Sequence, residues 1–154
     1  MTLCFRKATK ADLPKLIELL YDDELGKNRE SLDPEDFKLY EMAFDRIDQD
    51  LNACMVVGVM NKEIVATTQI NFLRYLSHQG TQRAQIENVR VASCHRGQGI
   101  GKKLLAYVIQ LTREHHCSIV QLTSNKQRTR AIKFYQDLGF ITSHEGLKLT
   151  LSES

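Results

Sequence analysis

Several features that define common protein classes are missing from this sequence. Apolar residues nowhere run for the length that a membrane-spanning helix requires. The N-terminal residues lack the long apolar segment of a signal peptide, so we expect a cytoplasmic protein with no membrane partner. Repeats, low-complexity segments and linkers are absent as well. A chain of 154 residues without such interruptions fits one domain, residues 1–154, with a sizeable core.

Cysteine is scarce, and its four positions are far apart with no metal-ligand spacing. They are Cys4, Cys54, Cys94 and Cys117. We therefore expect reduced thiols in the core and no bound metal. The adjacent Cys94 and His95 do not indicate a catalytic pair, because neighbours on an extended chain point in different directions.

A strong charge of one sign is also missing, since the formal net charge is only +2. Without a basic stripe, this balance argues against nucleic acid as a partner. The charges are nevertheless unevenly distributed. Residues 22–50 contain eleven acidic and four basic residues, whereas residues 62–154 contain thirteen basic and six acidic ones. A basic half suits the phosphates of a cofactor, and an acidic segment would suit a cationic amine.

The most informative stretch is the glycine-rich segment Arg96-Gly97-Gln98-Gly99-Ile100-Gly101. An alternating apolar run precedes it at residues 85–91, and apolar residues at helical spacing follow it from Ile100 to Ile109. The sequence therefore predicts a strand, a tight turn and a helix. Glycine permits positive φ angles, and the first amides of a helix have no intrahelical partner, so this turn favours an anion such as a phosphate.

Two standard phosphate-binding loops do not fit this segment. A P-loop needs a hydroxyl residue after Gly-Lys, whereas Lys103 follows Gly101 and Lys102 here. A dinucleotide-binding loop needs the spacing G-x-G-x-x-G at the first strand turn, and this segment has a different spacing and comes late in the chain.

Apolar spacing and turn residues predict the remaining elements. Strands are predicted at residues 3–6, 54–60, 64–75, 86–91 and 117–123, and a closing hairpin is predicted from strands 140–143 and 147–151. Helices are predicted after Thr9, after Asp33, after the glycine loop and at residues 129–138. A polar loop is predicted at residues 77–81. Strands that first form hairpins and then alternate with helices indicate an α/β (mixed α+β) fold, with a mixed sheet and helices on both faces.

Two sequence blocks resemble the GNAT acetyltransferases. The glycine loop matches the family's R-x-x-G-x-G pyrophosphate loop, and residues 131–140 match its A-x-x-x-Y-x-x-x-G-F pattern. The blocks stand in the family's order and at its usual separation, and the resemblance extends from about Phe5 to Leu151. It implies a mixed, mostly antiparallel sheet of about six to seven strands, an acyltransferase activity, and acetyl-coenzyme A as co-substrate without a metal.

The resemblance also assigns the residues that would hold the cofactor. They are Asn88, Val89 and Val91 on the strand before the loop, the loop residues Arg96, Gly97, Gln98, Gly99, Ile100, Gly101 and Lys102, and the later Asn125 and Arg128. Many family members have Asn at the position of Arg128, and Asn125 one turn earlier is the candidate substitute. In the family, the strand before the loop splays from its neighbour at a bulge, and its backbone pairs with the pantetheine arm.

Two side chains are candidates for catalysis. Glu87 stands where several family members carry a carboxylate that accepts a proton from the amine, and its structural alternative is a salt bridge to Arg83 or Arg90. Tyr135 matches the residue that protonates the departing thiolate, and its alternative is a packed helix aromatic. The expected mechanism is direct attack of a primary amine on the thioester in a ternary complex.

The acceptor stays open at this point. We favour a small-molecule amine, and the acidic charge of the first half of the chain favours a cationic one. Family analogy also allows a homodimer. The two alternatives are a protein N-terminal or lysine acetyltransferase and a non-catalytic acyl-coenzyme A sensor.

Overall fold

The computed structural model describes residues 2–152 and divides the chain into two compact units, residues 1–122 and 123–154. The first unit contains β1 (Leu3–Lys7), α1 (Leu13–Tyr21), α2 (Phe37–Gln49), β2 (Ala53–Met60), β3 (Glu63–Arg74), α3 (Ser77–Gly80), β4 (Gln82–Val91), α4 (Ile100–Glu114) and β5 (Ile119–Leu122). The second unit contains α5 (Thr129–Asp137). The expectation of one domain over residues 1–154 stays a prediction.

The five strands form one sheet in the order β1-β2-β3-β4-β5. The first four strands pair antiparallel, and β5 pairs parallel to β4. The predicted α/β class and mixed, mostly antiparallel sheet are confirmed, although the described residues contain five strands instead of six to seven. No helix within residues 2–152 is long and apolar enough to cross a membrane.

Helices cover both faces of the sheet, as predicted. On one face, α1 and α2 bury a cluster of Leu13, Leu16, Ile17, Phe44 and the β2 residue Val57. We call this the α1–α2 face.

The opposite face is covered by α4, and we call it the α4 face. There the Tyr107 ring stacks on Phe5 of β1 with centroids 5.1 Å apart, and His115 stacks on Phe72 of β3 at 4.4 Å. β3 and β4 therefore lie between the helices of the two faces, and β4 leads into the glycine loop.

Local signals in the sequence explain where the early elements begin. The Asp12 carboxylate accepts a hydrogen bond from the Thr9 backbone N–H at 2.7 Å, which completes the start of the helical segment that becomes α1. Asp33 caps the turn before α2 by accepting from the Glu35 N–H at 2.9 Å. Asn61 and Lys62 both have positive φ and form the two-residue turn between β2 and β3.

The predicted closing hairpin at residues 140–143 and 147–151 is wrong. The described residues after α5 contain no strand, and Leu147, Leu149 and Leu151 are more than 80% exposed. Their alternation with polar residues is typical of a half-buried strand, but alternation produces a strand only where a sheet edge pairs with it. This segment has no such pairing here.

Two smaller expectations also need correction. The predicted polar loop at residues 77–81 contains one helical turn, α3, in which His78 and Gln79 have left-handed φ and ψ angles. Cys4 and Cys94 are exposed instead of lying in the core, and all four cysteines are unbridged.

Candidate active site

Strand β4 has a bulge just before the glycine loop. Thr67 of β3 pairs with Arg90, but Gln69 pairs with Glu87, so β4 has one extra residue between these pairs. Asn88 lies there with φ 57°, a left-handed conformation that asparagine tolerates better than most residues. The pairing of β4 with β5 ends at Ile86, so residues 88–91 lie beyond the last β4–β5 pair. A bulged strand that leaves its neighbour at these residues is what the family resemblance implies.

The glycine loop forms an anion-binding geometry at the start of α4. Gly97 and Gly99 have φ angles of 78° and 80°, and a Cβ atom at either position would point into open space. The first backbone hydrogen bond of α4 runs from the Lys103 N–H to the Gly99 carbonyl at 3.2 Å. The amides of residues 100–102 precede this bond and have no partner within the helix. Open space in front of unpaired amides fits a phosphate group.

The loop side chains differ in their surroundings. Ile100 is buried at 4% exposure, so only its backbone faces the loop, whereas the side chains of Gln98 and Lys102 are exposed. Gly101 is half-buried inside the first turn of α4. Lys102 therefore adds an exposed positive charge in the first turn of α4.

Arg96 connects the glycine loop to the end of α1. Its guanidinium donates from Nη2 to the Asp22 carbonyl at 2.8 Å and from Nε to the Val91 carbonyl at 3.1 Å. The Asp22 carboxylate in turn accepts from the Ser93 N–H at 3.2 Å. Sequence reasoning assigned Arg96 to the cofactor, and the structure adds a second role, because these bonds hold the loop against the segment after α1.

Arg90 makes a similar connection, from the bulged strand β4 to the segment after α1. Its guanidinium, only 9% exposed, lies 3.9 Å from the Asp23 carboxylate and donates to the Val89 carbonyl at 3.0 Å. The carbonyls of Val89 and Val91, on the segment expected to contact pantetheine, therefore already accept bonds from the two arginines. Their side chains are both half-buried.

Glu87 ends a chain of hydrogen bonds along the sheet. Arg83 Nη1 donates to Gln121 Oε1 at 3.2 Å, Gln121 Nε2 donates to Gln85 Oε1 at 2.7 Å, and Gln85 Nε2 donates to Glu87 Oε1 at 3.1 Å. We call these four residues the polar row. Every donor in the row points towards the carboxylate, so the row holds Glu87 in one orientation. Glu87 therefore reaches Arg83 through two glutamines, whereas Arg90 faces Asp23.

The polar row belongs to the α1–α2 face. Glu87 pairs with Gln69 of β3, and Gln69 pairs with Met55 of β2. Directly paired residues share a face, and Met55 packs against the cluster under α1 and α2. Glu87 therefore lies on the side of the sheet that these two helices cover.

A pocket of about 160 Å³ lies under α1 and α2. Its apolar walls include Leu13, Leu16, Ile17, Leu20, Phe44 and Ile47, and Thr67, Thr68, Gln69 and Asn88 form its polar edge. We call it the α1–α2 pocket. Tyr40 also lines it, and burial raises the pKa of this phenol, which donates to Glu30 at 3.0 Å and accepts from the Ser31 N–H at 3.0 Å.

Tyr135 lies in the last turn of α5, in the second unit. Gly139 has φ 102°, its N–H donates to the Gln136 carbonyl at 3.0 Å, and the Phe140 N–H donates to the Tyr135 carbonyl at 3.0 Å. These bonds are those of a Schellman helix stop, whose usual apolar contact here joins the rings of Tyr135 and Phe140 at 5.7 Å. The ring of Tyr135 therefore has a structural role, which leaves the hydroxyl as the group to test for chemistry.

Asn125 and Arg128 shape the turn before α5. Asn125 Oδ1 accepts from the Gln127 N–H at 2.9 Å, and its backbone carbonyl accepts from the Arg128 N–H at 2.9 Å. Arg128 is the residue that precedes the first turn of α5. The Asn125 side chain is thus occupied in an Asx turn, which gives it a local role besides the one inferred from the family.

Arg83 was predicted only as a direct salt-bridge partner of Glu87, and the two glutamines that link them were not predicted. The signal for Arg83 and Gln85 was available, because they alternate with Glu87 along a strand and must share its face. Gln121 carried no such signal, since it reaches the row only through the pairing of β5 with β4. Thr68, which donates to the Glu87 carbonyl at 2.9 Å beside the bulge, was missed for the same reason.

Comparison with known proteins places this geometry in a family. The family model described as "Acetyltransferase (GNAT) family" matches residues 14–140, a range that includes β4, the glycine loop and Tyr135. A solved structure described as a transcriptional regulator from Bacillus halodurans C-125 is 42% identical with a TM-score of 0.94, over 97% of this chain and 100% of that chain.

Curated relatives agree with this placement. The aminoalkylphosphonate N-acetyltransferase of Salmonella typhimurium is 28% identical over 145 residues, which are 94% of this chain and 89% of that protein. The rat N-acetyltransferase family 8 member 2 is 38% identical over 61 residues, 40% of this chain, and the match spans only 27% of that longer protein. The predicted family is confirmed, and it is a family of acyltransferases: the chain belongs to the GNAT acetyltransferases.

Proposed function

We propose that this chain transfers the acetyl group of acetyl-coenzyme A to a primary amine by direct attack within a ternary complex. The observation that carries the proposal is the geometry of residues 87–102. This stretch joins an oriented carboxylate, a strand that bulges beyond its last pair with β5, and a helix start with unpaired amides. These are the parts needed to accept a proton, align an extended ligand arm and bind phosphates.

The geometry of the loop supports the proposed cofactor contacts. Acetyl-coenzyme A supplies the acetyl group as a thioester and two linked phosphates. The amides of residues 97–102 bind those phosphates, and the exposed Lys102 adds a positive charge. The backbone of residues 88–91 aligns the pantetheine arm, and Arg96 holds the loop in place.

Glu87 accepts the proton that a protonated amine must lose before it attacks. Its Oε1 already accepts from Gln85, which leaves Oε2 as the atom that takes the proton directly or through water. The polar row keeps the carboxylate pointing in one direction, so it costs little reorganisation when the amine arrives.

Tyr135 donates a proton to the departing thiolate, as the family resemblance implies. Its ring is held by the contact with Phe140, so the hydroxyl is presented by a fixed aromatic ring. A phenol is a competent donor to a thiolate at neutral pH because it stays protonated until about pH 10.

A second candidate is a non-catalytic module that senses acyl-coenzyme A. It is favoured by one observation, the description of the 42% identical Bacillus halodurans relative as a transcriptional regulator. Such a module would bind the cofactor but would not depend on the Tyr135 hydroxyl or the Glu87 carboxylate. The named N-acetyltransferase from Salmonella typhimurium, which matches along 94% of this chain, favours the enzyme instead.

The test is release of the coenzyme A thiol in the presence of a broad panel of primary amines. We expect turnover by the wild-type protein and a loss of roughly 10²-fold in kcat for Glu87→Gln and for Tyr135→Phe. Glu63→Gln, on an exposed position of β3, and Tyr107→Phe, on the α4 face, make the same chemical changes elsewhere and should leave kcat unchanged.

Three outcomes would contradict parts of the proposal. Absence of thiol release with every amine would overturn the enzymatic function. A Tyr135→Phe variant with wild-type kcat would remove Tyr135 from the chemistry, and a Glu87→Gln variant with wild-type kcat would do the same for Glu87. Cofactor binding with neither variant affecting any assay would favour the sensor.

A further inference from the structure

The α1–α2 pocket has an apolar interior with a polar edge on one side. Leucine, isoleucine and phenylalanine side chains from α1 and α2 form the walls, and of the residues described none with a charged side chain lines it. The hydroxyl of Thr67 donates to the Val56 carbonyl at 2.9 Å, and that of Thr68 donates to the Glu87 carbonyl at 2.9 Å. Both hydroxyl protons are thus directed to the protein, and the interior offers a ligand mainly apolar contact.

The polar edge of the pocket coincides with the bulge of β4. Asn88, the residue with left-handed φ at the bulge, lines the pocket and is exposed to solvent. Gln69, another lining residue, is the direct pair of Glu87 on the same face of the sheet. A ligand whose apolar part fills the pocket would therefore present its other end beside the bulge and the Glu87 carboxylate.

Most carboxylates of the acidic segment at residues 22–50 already have partners within the protein. Nine of its eleven carboxylates bond to groups of the protein itself, such as Asp45 to Lys10 at 3.1 Å and Asp48 to Lys7 at 3.6 Å. The others in this set of nine are Asp22, Asp23, Glu30, Asp33, Asp36, Glu41 and Asp50. A polyamine or aminoglycoside would need several carboxylates in its own site, so these pairings argue against a polycationic acceptor and leave a singly charged amine as the simpler one.

From these observations we infer that the acceptor is a primary amine attached to a compact apolar group, and that this group binds in the α1–α2 pocket. The inference rests on the proposed acetyl transfer and adds the chemical class of the acceptor to it. A volume of about 160 Å³ is close to the roughly 150 Å³ of an apolar cavity that binds one benzene molecule. A short branched alkyl chain or a single aromatic ring matches that size.

The first arm of the test compares kcat/KM across amines of increasing apolar size. Ethylamine, n-butylamine, isoamylamine and phenethylamine would be measured beside spermidine and kanamycin at one pH. We expect kcat/KM to rise about fourfold for each added methylene until the pocket is full, and to stay low for the two polycations. Spermidine or kanamycin outperforming isoamylamine would overturn the inference while leaving the acetyltransferase function intact.

The second arm fills the pocket with a side chain. Ala43 of α2 lines the pocket and is exposed enough to accept a larger residue, so Ala43→Phe should remove the advantage in kcat/KM that isoamylamine has over ethylamine. Ala106→Phe makes the same change at an exposed alanine of α4 and serves as the matched control. An Ala43→Phe variant with the wild-type preference would place the apolar group elsewhere and overturn the inference.

A third arm separates this inference from the proposed function. Binding of isoamylamine to the protein with coenzyme A would be measured by saturation-transfer nuclear magnetic resonance, which needs no turnover. Binding that Ala43→Phe abolishes and Ala106→Phe keeps would support the pocket assignment even if no amine were acetylated. The absence of binding in the wild-type protein would overturn the inference whatever the thiol assay shows.

Discussion

The two faces of the sheet in the first unit are packed to different degrees. On the α4 face, Leu104, Leu105 and Val108 are fully buried along the first turns of α4, and the cleft of about 720 Å³ on this face lies at the other end of the helix, beside Phe72 and His115. On the α1–α2 face, the helices leave a pocket of about 160 Å³, and the polar row lies along the strands. Dense packing fixes β4 and the start of α4 in place, whereas incomplete packing leaves room for a ligand beside Glu87. One face thus serves mainly as a scaffold and the other carries the candidate chemistry.

The largest expected effect comes from a cavity-forming substitution on the α4 face. Leu105→Ala should lower the free energy of unfolding by about 3 kcal/mol, because a fully buried leucine loses its apolar contacts and leaves a cavity. Leu20→Ala, on the wall of the α1–α2 pocket, should cost about 1 kcal/mol, because a half-buried wall residue has fewer neighbours to lose. Urea denaturation of both variants measures this difference.

The same pair of variants separates stability from activity. Leu20→Ala should alter the preference among amines, whereas folded Leu105→Ala should keep the wild-type preference. Equal losses of stability in the two variants would contradict the difference in packing on which the comparison is based.

A smaller effect is expected where α1 is attached to β1. The two Arg6 guanidinium bonds to the Asp12 carboxylate, at 2.7 and 3.0 Å, hold the pKa of Asp12 below its usual value. The Asp12 side chain is 9% exposed, but that of Arg6 is 45% exposed, so water weakens the pair. Asp12→Asn should therefore lower the free energy of unfolding by about 1 kcal/mol at pH 7.

The pH dependence of that loss follows from the direction of the pKa shift. A carboxyl group whose pKa is lowered by folding stabilises the folded state fully at pH values above its unfolded-state pKa, which is about 3.9 for Asp. This stabilisation is lost as the pH falls through the lower pKa of the folded state. The difference between wild type and Asp12→Asn should thus be constant near neutrality and should shrink below about pH 4. Asp48→Asn, in the exposed pair with Lys7, is the control and should change stability little at any pH. A gap that widened on acidification would contradict the assignment.

The smallest expected effect concerns the link between the glycine loop and α1. Arg96→Met removes the bonds to the carbonyls of Asp22 and Val91, so the loop should be less ordered, and the Kd for acetyl-coenzyme A should rise about threefold. Arg113→Met removes an exposed charge at the other end of α4 and should leave the Kd unchanged. An unchanged Kd in Arg96→Met would show that this link does not support cofactor binding.

Much of the fold could be predicted because its signals are local. The spacing of Ile100, Leu104 and Val108 specifies the buried side of α4, and Gly139 marks the end of α5 through its positive φ. The closing hairpin was predicted from the same kind of alternation at Leu147 and Leu149, and it failed because pairing depends on a partner that local sequence does not reveal.

The candidate site was predictable only in part. The glycine loop and Glu87 stand out in the sequence, since motif and strand alternation expose them. The bond between Gln121 and Gln85 and the link from Arg96 to Asp22 join residues more than 30 positions apart. The pocket depends on how α1 and α2 pack on the sheet, which periodicity alone does not determine.

The most direct test of the central claim is calorimetric titration with acetyl-coenzyme A of the wild-type protein, Gly99→Asn and Gly99→Asp. Both side chains suit a left-handed residue that precedes a helix, so the two variants should fold alike and differ by one negative charge. We expect Gly99→Asn to retain most of the affinity and Gly99→Asp to lose about 100-fold, because its carboxylate would face the phosphates. Equal binding by the two variants, or no binding by the wild-type protein, would contradict a phosphate site at this loop.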